Sequence, residues 1–156
     1  MATFQFEGVD NLIAQYQSLL GMTDEVIGKA VGAGAGVVAD AVKAEIKALP
    51  VSNQYNSGVV NSTQKKGLID GFGIAGMRND NGFLNVKLGF DGYNNNKTKK
   101  YPNGQPNSLI ARSINSGSSY RKKNPFVDRA TKATKSKCES TMENKLNSEI
   151  QKLIGG

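Results

Sequence analysis

The chain has 156 residues, a length typical of one domain with its own buried core, and its formal net charge is +7. It contains no histidine and one cysteine, which excludes an intrachain disulfide, a Ser/His/Asp or Cys/His catalytic arrangement and a standard structural zinc site. From the length we predict a single domain over residues 1–156. No pair of acidic residues stands in a context typical of an active site. We therefore predict no catalytic residues, and we expect no cofactor and no metal.

The N-terminal segment has two short predicted elements. Residues 3–7 alternate phenylalanine with polar residues, which predicts a half-buried strand that Gly8 breaks. Apolar residues then recur at three- and four-residue steps over residues 9–20, which predicts an amphipathic helix ending at Gly21. The segment lacks the basic and apolar regions of a cleaved signal peptide, and no apolar run is long enough to span a membrane. We therefore expect cytoplasmic assembly and no membrane partner.

A long helix is predicted next, from Thr23 to Leu49. Thr23 is predicted as the N-cap, acidic residues follow in the first turn, and Pro50 ends the helix. The apolar stripe of this helix consists of Ile27, Val31, Ala35, Val38, Val42, Ile46 and Leu49. The helix is therefore predicted to bury one face along its whole length.

Three glycines, Gly28, Gly32 and Gly36, lie beside this stripe at four-residue spacing. A glycine inside a helix costs about 1 kcal/mol relative to alanine, so close approach of another backbone is expected to offset the loss. We predict a tight-packing helix face at these glycines. Packing within the subunit is one alternative, and contact with a neighbouring subunit or a bend in the helix is the other.

A hairpin is predicted between two long polar loops. The loops, at about residues 51–66 and 91–107, are predicted to be flexible, the second as an extended or disordered arm. The strands are predicted at about residues 68–78 and 83–90, joined by a turn over residues 79–82 with glycine at its end.

Two helices are predicted in the C-terminal third of the chain. Residues 108–115 favour a short helix, and Asn124 is predicted to cap a last helix that begins at Pro125 and runs to the terminal glycines. The stripe of the last helix consists of Phe126, Ala130, Thr134, Cys138, Met142, Leu146, Ile150 and Leu153. Cys138 is predicted to be a small buried apolar residue. The elements together predict an α+β fold, in which a small antiparallel sheet packs against a long Ala/Gly-rich helix and a C-terminal helix.

Positive charge is concentrated between Lys97 and Lys137, where eleven basic residues stand against one acidic residue, Asp128, for a formal charge of +10. An anionic partner, either nucleic acid or an acidic protein surface, is expected there, with a solvated face as the alternative. No sequence-reading DNA-binding or RNA-binding motif is present. The residues predicted to face a partner or DNA are Lys97, Lys99, Lys100, Arg112, Arg121, Lys122, Lys123, Arg129 and Lys132.

Several stretches follow one another in an order that resembles a known family. They are FEGVDNLIAQYQSLL, the Ala/Gly-rich helix VIGKAVGAGAGVVADAVKAEIKALP, the hairpin GLIDGFGIAGMRNDNGFLNVKLGF, and SINSG and NPFVDRA before the last helix. The chain resembles the HK97 gp10-like family of tailed-bacteriophage tail-component proteins. The last two stretches match the family pattern at Gly117, Pro125, Phe126 and Ala130.

The resemblance implies a structural virion protein of the neck of a phage or phage-tail-like particle. Copies of the chain would form a ring that completes or terminates the tail and joins it to the head. The implied partners are other copies and adjacent neck, portal, tail-tube or sheath proteins, and DNA passing through the channel is a further candidate. The implied location is the virion, after assembly in the bacterial cytoplasm. The alternative function is that of a small basic protein that binds nucleic acid without sequence preference.

Overall fold

A computed structural model describes residues 24–155. The strand and helix predicted before Asp24, and the predicted N-cap Thr23, lie outside the described residues. The elements are helix α1 Asp24–Ala48, helix α2 Ser62–Gly71, strands β1 Phe72–Ile74, β2 Arg78–Asp80, β3 Phe83–Asn85 and β4 Leu88–Phe90, helix α3 Asn107–Ser116 and helix α4 Phe126–Gly155. These elements confirm the predicted α+β fold. None of these helices combines the length and apolarity needed to cross a membrane.

The two long helices, α1 and α4, pack against each other in antiparallel orientation. Near the start of α1, Lys29 pairs with Glu149 near the end of α4 at 3.2 Å. Near the end of α1, Glu45 pairs with Arg129 near the start of α4 at 2.6 Å. At 1.5 Å per residue, α1 is about 37 Å long and α4 about 45 Å long. The pair therefore gives the domain a long axis with two distinct ends.

The predicted apolar stripes form the core between these helices. The buried stripe residues are Ile27, Ala35, Val38, Val42, Ile46 and Leu49 at or just after α1, and Phe126, Ala130, Cys138, Met142, Leu146 and Ile150 in α4. Val31 and Thr134 are half-buried, whereas Leu153 is 66 % exposed. The core includes the base of the hairpin, where the ring centroids of Phe72 and Phe90 lie 5.0 Å apart.

The start of α4 is capped by a residue of α3. The backbone N–H groups of Val127 and Asp128 donate to Oδ1 of Asn115 at 3.1 and 3.3 Å. The side-chain oxygen of Asn124, the predicted cap, instead accepts a hydrogen bond from Nη2 of Arg129 at 3.0 Å. The prediction of an Asn124 side-chain cap is therefore wrong, because tertiary packing brings Asn115 to the free donors of the first turn.

Helix α2 occupies part of a predicted loop and part of a predicted strand. Its first turn is closed by a capping box, in which the backbone N–H of Gln64 donates to Asn61 Oδ1 at 2.8 Å and the backbone N–H of Asn61 donates to Gln64 Oε1 at 3.1 Å. Leu68 is fully buried in this helix, and the first strand begins at Phe72. The predicted boundaries here are wrong because a short apolar run fits a strand and a buried helix equally well.

The predicted hairpin is present as two short antiparallel ladders. Strand β1 pairs with β4, and β2 pairs with β3. Asp80 pairs directly with Phe83, so the connecting loop is the dipeptide Asn81-Gly82, with φ of 56° and 90°. These positive φ angles are those of a type I′ turn, for which Asn-Gly is the preferred sequence. The predicted turn is confirmed at Asn81 and Gly82, whereas Asn79 and Asp80, also predicted in the turn, belong to strand β2.

The segment between β4 and α3 folds back on the domain and is not extended. The backbone N–H of Asn94 donates to the carbonyl oxygen of Gln105 at 2.9 Å, and that of Asn107 donates to Gly92 at 3.0 Å. The side chain of Gln64 in α2 donates to Gln105 Oε1 at 2.7 Å. The prediction of an extended arm is wrong, because side-chain and backbone amides of the segment bond to one another and to α2. The mobility of this segment stays a prediction.

Candidate functional site

Arg129, one of the basic residues predicted to face a partner, is paired within the subunit. Its Nε and Nη2 atoms donate to Glu45 Oε2 at 2.9 and 2.6 Å. The hydrogen bond with this carboxylate raises the pKa of Arg129. The charge of Arg129 is therefore compensated within the subunit, where it links the start of α4 to the end of α1.

A second group, Arg121, Lys122 and Lys123, lies in the turn between α3 and α4. Nη2 of the half-buried Arg121 donates to Gln64 Oε1 at 3.4 Å, and desolvation by burial lowers the pKa of the guanidinium. The backbone N–H of Lys122 donates to the carbonyl oxygen of Gly58 at 2.9 Å. The side chains of Lys122 and Lys123 are exposed. This turn is therefore joined to the loop that precedes α2, and two of its three cations face solvent.

A groove lies between α3, the first turns of α4 and the folded segment after β4, with a volume of about 700 Å³. Its wall includes the apolar side chains of Phe90, Leu109 and Val127. Leu109 is 40 % exposed although it belongs to the wall. We call this feature the α3–α4 groove. An apolar concavity of this kind is a common binding site for a side chain or a small ligand.

The rim of the α3–α4 groove is basic. Arg112 of α3 and Lys132 of α4 line it, together with Tyr101 and the acidic Asp128. Nζ of Lys100 lies 5.5 Å from the centroid of the Tyr101 ring, which is within cation–π range. Two of the predicted basic residues, Arg112 and Lys132, thus line one groove, and a third, Lys100, contacts the Tyr101 ring that also lines it. The remaining two, on the segment after β4, are both exposed: Lys97 and Lys99.

The face formed by Gly28, Gly32 and Gly36 is open within residues 24–155. A Cβ atom at Gly32 or Gly36 would meet no described atom within 4 Å, and one at Gly28 would lie 3.8 Å from Cε of Met77. The described part of the subunit therefore does not supply tight packing on this face. Contact with a neighbouring subunit stays a prediction for it.

The close approach between α1 and α4 occurs instead at Gly34. A Cβ atom there would lie 2.5 Å from Cγ and 2.6 Å from Sδ of Met142, and 3.0 Å from Sγ of Cys138. Gly34 faces α4, whereas the four-residue spacing of the other three glycines follows a different face. The four-residue glycine spacing and the close packing against α4 therefore involve different glycines of α1.

The outer part of the hairpin exposes apolar side chains. Residues 73–83 are all exposed, and within them Ile74, Met77 and Phe83 are 46 %, 39 % and 66 % exposed. Met77 lies beside Gly28, so this apolar surface adjoins the open glycine face of α1. Clustered exposed apolar residues of this kind mark interaction surfaces.

Near the other end of α4, Glu149 lies among three lysines. Its carboxylate accepts from Lys152 and pairs with Lys145, both at 3.1 Å, and it accepts from Lys29 at 3.2 Å. These hydrogen bonds, the one from Lys152 contributing most, lower the pKa of Glu149 to about 2. The cluster ties the end of α4 to the start of α1, where Lys29 also pairs with Glu25 at 3.1 Å.

Cys138 is fully buried, as predicted, and burial raises the pKa of its thiol to about 11. A buried protonated thiol is a poor nucleophile and a poor metal ligand. Over residues 24–155, no group of three or more Cys, Asp or Glu side chains is arranged to hold a metal ion.

Comparisons of the chain with protein-family models, with curated proteins and with solved structures found no match.

Proposed function

We propose that the chain is a structural protein of the neck of a tailed phage or phage-tail-like particle. Copies of it form a ring that completes or terminates the tail and joins it to the head. The observation that carries the proposal is the exposed apolar surface of the hairpin, formed by Ile74, Met77 and Phe83, next to the open glycine face of α1. A partner that covers the hairpin surface and the glycine face is expected, and we propose that this partner is another copy of the chain.

The basic residues support the same proposal. In a ring, each copy contributes the exposed Lys97, Lys99 and Lys132. The positive electrostatic potential of these lysines is therefore repeated around the ring axis. Such a ring attracts DNA in a channel, or the acidic surface of an adjacent portal, tail-tube or sheath protein. Neither partner requires sequence readout, in agreement with the absence of such motifs.

The proposal is tested by sedimentation velocity and negative-stain electron microscopy of the purified full chain over a wide concentration range. We expect closed rings of uniform size. Met77→Ser is expected to shift the protein toward monomer, because it removes apolar area beside the glycine face, whereas Tyr55→Ser on the distant polar loop leaves the rings intact. A chain that stays monomeric, alone and with particle proteins added, contradicts the proposal.

Binding of nucleic acid is a second candidate, favoured by two exposed tyrosines on loops that meet at Lys122. Tyr55 and Tyr120 are 94 % and 83 % exposed, and the Lys122–Gly58 hydrogen bond holds their two loops together. Aromatic rings flanked by lysines stack on single-stranded bases, each worth about 1–3 kcal/mol. Fluorescence anisotropy with a single-stranded oligonucleotide tests it: salt-dependent binding weakened about tenfold or more by Tyr120→Ala supports this candidate. No binding at low salt rejects it.

A further inference from the structure

The tip of the hairpin presents one apolar and two charged side chains on the same face. Asp80 and Phe83 are direct partners across the β2–β3 ladder, so their side chains lie on one face. Arg78 is two residues before Asp80 and therefore lies on this face as well. Two residues of a strand span about 6.6 Å, which sets the distance between the positive and the negative group. Oδ2 of Asp80 accepts a hydrogen bond from Nδ2 of Asn85 at 2.8 Å, and within the described residues neither charged side chain makes an ion pair.

The α3–α4 groove presents the complementary features. Its apolar wall is open at Leu109, and its edge carries Asp128 and Lys132, which are four residues apart in α4. Positions i and i+4 of a helix lie about 6 Å apart on one face. Neither residue forms an ion pair with another described residue. The groove edge thus offers a negative and a positive group at nearly the spacing found on the hairpin tip, and Arg112 adds a second cation.

The tip and the groove of one subunit lie at opposite ends of the helix pair. The hairpin tip contacts the start of α1, where Asn79 Nδ2 donates to Asp24 Oδ2 at 3.1 Å, and the start of α1 lies beside Glu149. The groove lies at Lys132, and the 17 residues from there to Glu149 extend about 26 Å along α4. The tip cannot occupy its own groove, so the tip that occupies a groove belongs to another copy.

We propose that the hairpin tip of one subunit docks in the α3–α4 groove of the next. Phe83 enters the apolar groove, Asp80 pairs with Lys132 and Arg112, and Arg78 pairs with Asp128. The two surfaces differ, so the contact is heterologous and closes a ring when the rotation between neighbours allows it. This inference rests on the proposed ring and specifies the interface that builds it.

Charge reversal on both sides of the contact tests the pairing in the full chain. Asp80→Lys and Lys132→Glu are each expected to weaken self-association at least tenfold in sedimentation equilibrium, because each places like charges together. The double variant is expected to associate more tightly than either single variant, because it restores one pair of opposite charges while Arg112 stays in place. Glu143→Lys makes the same charge change as Asp80→Lys at an exposed residue outside both surfaces and is expected to have no effect. Weakening by each single variant without recovery in the double variant contradicts the pairing.

Cysteine cross-linking tests the position of the tip independently of the charges. Phe83→Cys and Leu109→Cys chains, mixed and oxidised, are expected to form a covalent dimer, and a chain with both substitutions forms a ladder of higher oligomers. The native Cys138 is fully buried and does not compete. Tyr55→Cys mixed with Leu109→Cys serves as the control and is expected to give no dimer. Circular dichroism melts of all variants establish that each one folds.

The outcomes separate this inference from the proposed function. Rings that persist in Asp80→Lys and fail to cross-link through Phe83→Cys overturn the hairpin–groove contact and leave the ring proposal standing. A wild-type chain that does not self-associate at any concentration, together with Phe83→Cys and Leu109→Cys chains that do not cross-link, overturns both.

Discussion

Replacing Gly34 with alanine tests the close packing between the two long helices. Alanine is about 1 kcal/mol more favourable than glycine inside a helix, so the substitution stabilises α1 wherever space exists. At Gly34 the new methyl group would lie 2.5 Å from Cγ of Met142 and 3.0 Å from Sγ of the buried Cys138. Overpacking of this kind costs about 1–3 kcal/mol, so after the gain of about 1 kcal/mol in helix propensity the expected net effect is a loss of up to about 2 kcal/mol of unfolding free energy.

The matched control is Gly36→Ala in the same helix, where the new methyl group meets no described atom within 4 Å. It is expected to raise the unfolding free energy by about 0.5–1 kcal/mol, since only the helix propensity changes. Urea denaturation followed by circular dichroism measures both effects as shifts of the midpoint at constant slope. If Gly34→Ala stabilises the chain as much as Gly36→Ala does, the close approach of α4 to α1 at this position is refuted.

Three further predictions concern assembly, pH and capping. Gly36→Ala, which stabilises the subunit, is expected to reduce ring formation in sedimentation velocity if its face contacts a neighbour; unchanged rings exclude that contact. Glu149 has a lowered pKa, so its stabilising contribution is complete above its ordinary value near 4.5 and is lost as the pH falls toward about 2. Glu149→Gln is therefore expected to flatten the acid limb of a stability–pH curve in this window, and an unchanged limb contradicts the lysine cluster. Asn115→Ala removes the cap of α4 and is expected to cost about 1 kcal/mol in urea denaturation, whereas Asn124→Ala costs less; the reverse order contradicts the assigned cap.

The long helices and the hairpin turn were predictable because their signals are local. The apolar stripe of α1 repeats over many turns, and Pro50 follows it directly. The Asn81-Gly82 turn needs two residues with positive φ, and the sequence provides the preferred pair. The helix could be predicted because its helical apolar repeat is sustained over many turns. The turn could be predicted because Asn-Gly specifies one turn type.

The boundaries around α2 were not predicted because the deciding signals there are short. The Asn61–Gln64 capping box is visible in the sequence, but the polar residues around it also suit a loop. The cap of α4 by Asn115 depends on the packing of α3 against α4, which no local pattern specifies. The segment after β4 has the composition of a disordered arm, yet its amides bond to one another and to Gln64.

The candidate surfaces were predicted in part. The sequence identified the basic residues, but it could not show that Arg129 is paired with Glu45 while Arg112 and Lys132 meet at one groove. Charged residues can be counted from the sequence. Whether each one is free to bind a partner depends on its tertiary contacts. The exposure of Phe83 likewise depends on what packs over the hairpin.

The proposed ring is tested most directly by cryo-electron microscopy of purified particles that contain this chain. The proposal predicts a closed ring of this protein on the tail axis at the head-proximal end, with each hairpin tip in the α3–α4 groove of its neighbour. Density for the chain elsewhere in the particle, or particles that assemble and join heads to tails without it, would contradict the proposed function.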